Sequence, residues 1–132
     1  MEEALRILIV DDEEELVSAL VERLNLRAFR AAGVTSGPEA LEYLGANPCD
    51  VVVLDVKMPG LSGLDLIRRI KSDHPDLEVV LLTGHGSKQD ADQGMEFGAF
   101  DYLMKPVKID NLVKILLEAA ARKGGAESDE RV

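Results

Sequence analysis

The sequence has a single cysteine, Cys49, so no disulfide can form within the chain. A lone cysteine of this kind reads as a small buried residue, and a reducing cytoplasm fits. Long hydrophobic runs are missing. The longest uninterrupted aliphatic stretches are four residues, whereas crossing a bilayer takes about 20. The start, Met1-Glu2-Glu3, is acidic and lacks the basic and apolar regions of a signal peptide. Basic residues are scarce: 15 Lys and Arg against 25 Asp and Glu leave a net charge of −10. Nucleic acid and anionic lipid both demand compensating Lys and Arg, so this balance opposes either as a partner. No internal repeat, heptad run or low-complexity segment is visible. What is present is ordinary globular stock, 132 residues with 46% apolar and 30% charged side chains. Such a length suits one domain that buries about two-thirds of its unfolded surface, enough for a core without staples.

Three aliphatic runs organise the chain: Ile7–Val10, Val51–Leu54 and Val79–Leu82. Each is too short for a helix and apolar without alternation, the pattern of a strand buried on both faces of a parallel sheet. Helical stripes lie between and after them: Leu16, Leu20 and Leu24; Leu64, Ile67 and Ile70; Leu112, Val113, Leu116, Leu117 and Ala120. Pro38, after Ser36-Gly37, suits the first turn of a further helix, and Asp110 is placed to cap the last one. Phe29–Val34, diluted by Ala and Gly, suits an edge strand. Phe100–Met104 is a fifth strand, stopped by Lys105-Pro106. Ser87–Phe97, with Gly94 inside a sparse apolar stripe, reads as a marginal helix. Residues 123–132 form a polar, glycine-containing tail expected to fray. Five strands alternating with five helices specify an α/β domain.

The chemistry sits at strand ends. Ile7–Val10 runs into Asp11 and Asp12, Val51–Leu54 into Asp55, Val79–Leu82 into Thr83, and the fifth strand ends at Lys105. In an open parallel sheet the carboxyl ends of the strands share one edge, and ligands bind there. Each residue alone reads as the polar start of a loop; four segments converging is a different matter. Three carboxylates need a cation, and hard oxygen ligands with water positions left over suit Mg²⁺. A carboxylate beside that metal can attack phosphorus and form an aspartyl phosphate. Lys105 and Thr83 then supply the charge and the donor that the phosphoryl group requires.

These residues resemble the receiver domain of two-component response regulators. The resemblance rests on Ile7-Leu8-Ile9-Val10-Asp11-Asp12, Val51-Val52-Val53-Leu54-Asp55-Val56-Lys57-Met58-Pro59-Gly60, Leu81-Leu82-Thr83-Gly84 and Tyr102-Leu103-Met104-Lys105-Pro106. It covers residues 5–122 and implies a doubly wound five-stranded parallel sheet of order 2-1-3-4-5, a flavodoxin-like fold with five helices. It further implies that Asp55 is the phosphoacceptor, that Asp12 binds Mg²⁺ directly and Asp11 mainly through water, and that the Lys57 backbone carbonyl completes the protein ligands. By the same resemblance Thr83 bonds the phosphoryl group, Lys105 pairs with it, and Tyr102 is the aromatic that changes rotamer. The Lys105-Pro106 bond is expected to be cis. Lys57 and His85 fall on the positions that tune hydrolysis of the phosphoryl group, and Lys57, a donor only, is expected to prolong its lifetime. On the residues alone Tyr102 reads equally as a half-buried strand aromatic and His85 as a solvated loop residue. Glu13, Glu14 and Glu15 read as a helix start favoured by the dipole, with only Asp11 and Asp12 belonging to the site.

The implied partners are a sensor histidine kinase or phosphotransfer protein as donor, and a downstream effector or output domain. The fourth helix, fifth strand and fifth helix form the switching surface, with a phosphorylation-dependent homodimer as one outcome. No DNA-binding segment follows residue 122, so a stand-alone regulator and a receiver from a longer chain are both open. Two rivals are weaker. A haloacid-dehalogenase-type phosphatase carries a second Asp two residues past its nucleophile, where this chain has Lys57. A flavin module needs a phosphate loop after the first strand, where Asp11-Asp12-Glu13-Glu14-Glu15 would repel it.

Overall fold

In the computed structural model, residues 4–58, 63–84 and 88–122 are described. Met1-Glu2-Glu3, the Pro59-Gly60 turn, His85, Ser87 and the 123–132 tail lie outside them. The elements alternate: β1 (Arg6–Val10), α1 (Glu14–Leu26), β2 (Arg30–Val34), α2 (Gly37–Ala46), β3 (Val51–Asp55), α3 (Gly63–Asp73), β4 (Glu78–Thr83), α4 (Lys88–Glu96), β5 (Asp101–Met104) and α5 (Ile109–Arg122). All strand pairs are parallel, in the order β2-β1-β3-β4-β5. The expected doubly wound α/β sheet is therefore the fold, with β2 and β5 at its edges.

The aliphatic runs explain the layering. Successive strand side chains face opposite ways, and both sides here are apolar. Ile7, Ile9, Val51, Val53, Val80 and Leu82 pack with Val17, Leu20 and Leu24 of α1 and with Leu112, Ile115, Leu116 and Ala119 of α5. Leu8, Val10, Val52, Leu54, Val79 and Leu81 pack with Ala40 and Leu44 of α2 and Leu66, Ile67 and Ile70 of α3. Ser36 caps α2 by accepting the Glu39 N–H at 3.3 Å, with Pro38 in the first turn as expected. No helix among the described residues is long and apolar enough to cross a membrane.

Several local expectations are corrected. The buried stripe of α5 is Leu112, Ile115, Leu116 and Ala119, a true 3.6-residue stripe, and Leu117 points outward, 52% exposed. Asp110 does not cap α5; it stands in the first turn, exposed, 3.9 Å from Arg27 Nη2. The helix expected over Ser87–Phe97 is α4, in which Ala91 and Gly94 are the buried residues. A Cβ on Gly94 would lie within 2.3 Å of Leu81 Cδ1, so the absent side chain lets α4 lie directly on β4. Cys49 is half-buried, and burial pushes its thiol up to about 11.

At the far end from the strand carboxyl termini, α5 is tied down. Arg122 Nη2 donates to Glu78 Oε1 at 3.2 Å and Nε to Oε2 at 3.4 Å. The same guanidinium lies over the Phe100 ring, 4.8 Å from its centre. Glu78 is buried, so it depends on this one cation-bearing fork.

Candidate functional site

Four strand ends build the site. After β1, Asp11 is fully buried, and its Oδ1 accepts the backbone N–H of Glu13 at 2.9 Å. That bond turns the chain sharply into α1, leaving Asp12 exposed at the rim. Asp55 is the last residue of β3, with a side chain only 7% exposed. Its Oδ1 accepts the Lys57 N–H at 3.1 Å. Gly63 begins α3 directly beneath: a Cβ there would stand 2.5 Å from the carbonyl oxygen of Asp55 and from Val56 Cα, so only glycine allows this approach. Thr83 ends β4 in full burial, and its carbonyl accepts the Lys105 N–H at 2.8 Å, which fixes β5 beside it. Among the described residues the Thr83 hydroxyl donates to the Gly84 carbonyl, at a long 3.4 Å. The Lys105-Pro106 bond is cis, as expected.

Lys105 is the hub. Its ammonium lies 2.8 Å from Asp11 Oδ2, 2.9 Å from Glu13 Oε1 and 3.5 Å from Asp55 Oδ2. Burial works against its charge, but the carboxylates of Asp11 and Glu13, with Asp55 behind them, outweigh that and hold it above the ordinary lysine range. Asp55 is raised as well, but for a carboxyl that disfavours the charge. Burial, with Asp11 and Asp12 adding repulsion, pushes its carboxyl up to about 6, against relief from the Lys57 N–H and Lys105.

Asp11, Asp12 and Asp55 each bring a carboxylate oxygen within 4.8 Å of the others. Of these, Asp11 and Asp55, together with Glu13, lie within 3.5 Å of the Lys105 ammonium. The contact from Lys105 to Asp11 Oδ2 lacks hydrogen-bond alignment, so this fully buried oxygen accepts no hydrogen bond. Three hard, anionic oxygen donors this close together fit a hard cation, and the cluster can hold a metal ion.

The structure thus brings together Asp11, Asp12, Asp55 and Lys105, with Thr83 alongside. It places the others differently. Tyr102 is half-buried in β5, opposite Leu81, against the core of the α2–α3 face. The Lys57 ammonium is 3.9 Å from Asp90 of α4 and largely exposed. Glu13, expected only to favour the helix start, is corrected: its carboxylate reaches Lys105 across 92 positions of sequence. Nothing in a run of five acids marks the third as different. An open cleft of about 420 Å³, lined by Glu13, Leu16, Gly84, Lys105, Pro106 and Val107, adjoins this pair.

Residues 7–117 match the family model for the response regulator receiver domain. The chain belongs to that family. Membership makes it a phosphorelay receiver, a signalling domain whose chemistry is confined to its own phosphorylation and dephosphorylation. It is similar to the C4-dicarboxylate transport transcriptional regulatory protein DctD of Rhizobium meliloti, 36% identical over 123 residues, covering 93% of this chain and 27% of that protein. It is also 36% identical over 124 residues to the sensory transduction protein RegX3 of Mycobacterium tuberculosis, covering 94% of this chain and 54% of that one. The chain therefore spans about half or less of these curated relatives. Among solved structures, a response regulator receiver domain protein from Clostridium thermocellum superposes with a TM-score of 0.86 at 37% identity, over 91% of this receiver and 97% of that chain.

Proposed function

We propose that Asp55 is the phosphoacceptor of this receiver. The observation that carries it is placement: Asp55 is the carboxylate at the end of the central strand β3, buried, 3.5 Å from Lys105 and within the Asp11–Asp12 cluster. One of its oxygens attacks the donor phosphorus. The new O–P bond forms as the bond to the donor's leaving atom breaks, and that electron pair departs with the donor. Attack needs the ionised carboxylate, and with a carboxyl near 6 about ten molecules in eleven are ionised at neutral pH. Lys105 keeps its proton and meets the incoming phosphoryl oxygens, while the loosely engaged Thr83 hydroxyl turns to donate to them. Asp11, Asp12 and Asp55, with the Lys57 backbone carbonyl, would hold Mg²⁺, which supplies positive charge to the phosphoryl oxygens when bound.

Residues 5–122 form the receiving unit. The donor is a sensor histidine kinase or phosphotransfer protein. Movement of Thr83 toward the phosphoryl group frees space for Tyr102, and the α4–β5–α5 surface passes the change to an effector or output domain. The test is incubation with acetyl phosphate and Mg²⁺, read by intact mass. One phosphoryl adduct is expected, absent in Asp55→Asn. Undiminished labelling of that variant refutes the assignment.

A further inference from the structure

The geometry points to Glu13 as a positioning residue that anchors Lys105 in the resting site and thereby limits how readily the domain is phosphorylated. The inference rests on Asp55 being the acceptor. Three carboxylates compete for the Lys105 ammonium, whose side chain is 20% exposed. Asp11, at 2.8 Å, belongs to the carboxylate cluster that suits a cation, and Asp55 stands back at 3.5 Å. The Glu13 contact, 2.9 Å, is a full hydrogen bond. Glu13 is itself held in place. Its N–H is bonded to Asp11 Oδ1, and its carbonyl accepts the Val17 N–H at 3.0 Å. Its carboxylate therefore reaches Lys105 from a fixed stem at the start of α1.

Glu13 stands outside the three-carboxylate cluster that suits a cation. A cation there would engage Asp11, Asp12 and Asp55 and not Glu13. For Lys105 to meet a phosphoryl group on Asp55, its ammonium must loosen or share this bond. An interaction made before transfer and weakened during it raises the barrier rather than lowering it. With Glu13 63% exposed, such a pair is worth a change of about twofold to fivefold. Glu14, next in sequence, carries the same charge on the first turn of α1 and serves as the control.

The experiment compares wild type, Glu13→Asp, Glu13→Gln and Glu14→Gln. The first readout is the initial rate of adduct formation from acetyl phosphate and Mg²⁺. The second is the rate at which an amine-reactive reagent labels Lys105 in metal-free protein, followed by peptide mass spectrometry. Both Glu13 variants should phosphorylate about twofold to fivefold faster and label faster at Lys105, while Glu14→Gln matches wild type in both. Glu13→Asp keeps the charge but is one methylene shorter. If it behaves as wild type while Glu13→Gln accelerates, charge alone is responsible and the anchor is wrong. Equal acceleration in Glu14→Gln, or no acceleration in either Glu13 variant, overturns it as well. Asp55→Asn run in parallel separates the two claims, since an adduct there refutes the acceptor and leaves the Lys105 labelling result to judge the anchor.

Discussion

Replacing Asp55 by Asn should stabilise the metal-free protein, by an amount that depends on pH. The native fold raises the Asp55 carboxyl from 3.8 to about 6, mainly by burial. At 1.36 kcal/mol per pH unit, its ionised form therefore costs the fold about 3 kcal/mol at neutral pH. Asparagine keeps an oxygen to accept the Lys57 N–H, but loses the 3.5 Å pairing with Lys105. The raised carboxyl already includes the attraction of Lys105, so the net gain is about 3 kcal/mol at neutral pH. The sign follows from proton binding. Between pH 3.8 and about 6 the folded protein holds a proton that the unfolded chain releases, so wild-type stability falls as pH rises through that window. Above it the penalty is constant. The advantage of Asp55→Asn should thus be full at about pH 7 and fade toward about pH 4. Urea unfolding of both proteins in EDTA, across that range, measures it. Adding Mg²⁺ should narrow the gap, since a cation compensates Asp55 and finds one ligand fewer in the variant. An advantage that stays flat with pH, or a variant less stable than wild type at neutral pH, would refute the reasoning.

Two further outcomes concern the scaffold. Arg122→Ala should lower stability by about 1–3 kcal/mol, because it strands the buried Glu78 carboxylate and uncovers Phe100; Arg122→Lys should recover only part of this, and equal urea midpoints for all three proteins would count against the tie. Gly94→Ala and Gly45→Ala should act in opposite directions. A Cβ at Gly94 collides with Leu81, a net loss of about 1 kcal/mol after the helix-propensity gain, whereas Gly45 in α2 has nothing within 4 Å and should gain about 0.5–1 kcal/mol. Thermal unfolding shifts of the same sign at both positions would contradict this.

The fold was largely legible because a parallel sheet buries both faces. Ile7–Val10, Val51–Leu54 and Val79–Leu82 had no polar alternation to hide them, and each strand end then named its own polar residue. Asp11, Asp12, Asp55 and Lys105 were found by that rule. Glu13 escaped it. Its role depends on the turn made by its own N–H on Asp11, which aims one of five adjacent acids at a lysine supplied by the far strand. The seat of α4 escaped for a related reason: glycine in a helix reads as weakness, and the side chain filling the gap, Leu81, comes from another element. In α5 the apolar arc is wider than the stripe that is buried, so Leu117 at its edge could be placed outside only once β4 and α1 were in place beside the helix.

The strand order has a bearing on synthesis. The carboxylates of β1 and β3 are made early and lie on neighbouring strands, while the ammonium that faces them sits just past β5, at the sheet's far edge. A chain still emerging from the ribosome, released only through β4, carries Asp11, Asp12 and Asp55 without their counter-charge. The acidic cluster meets its lysine only with the last strand to arrive, so its charge is balanced only when the sheet is whole.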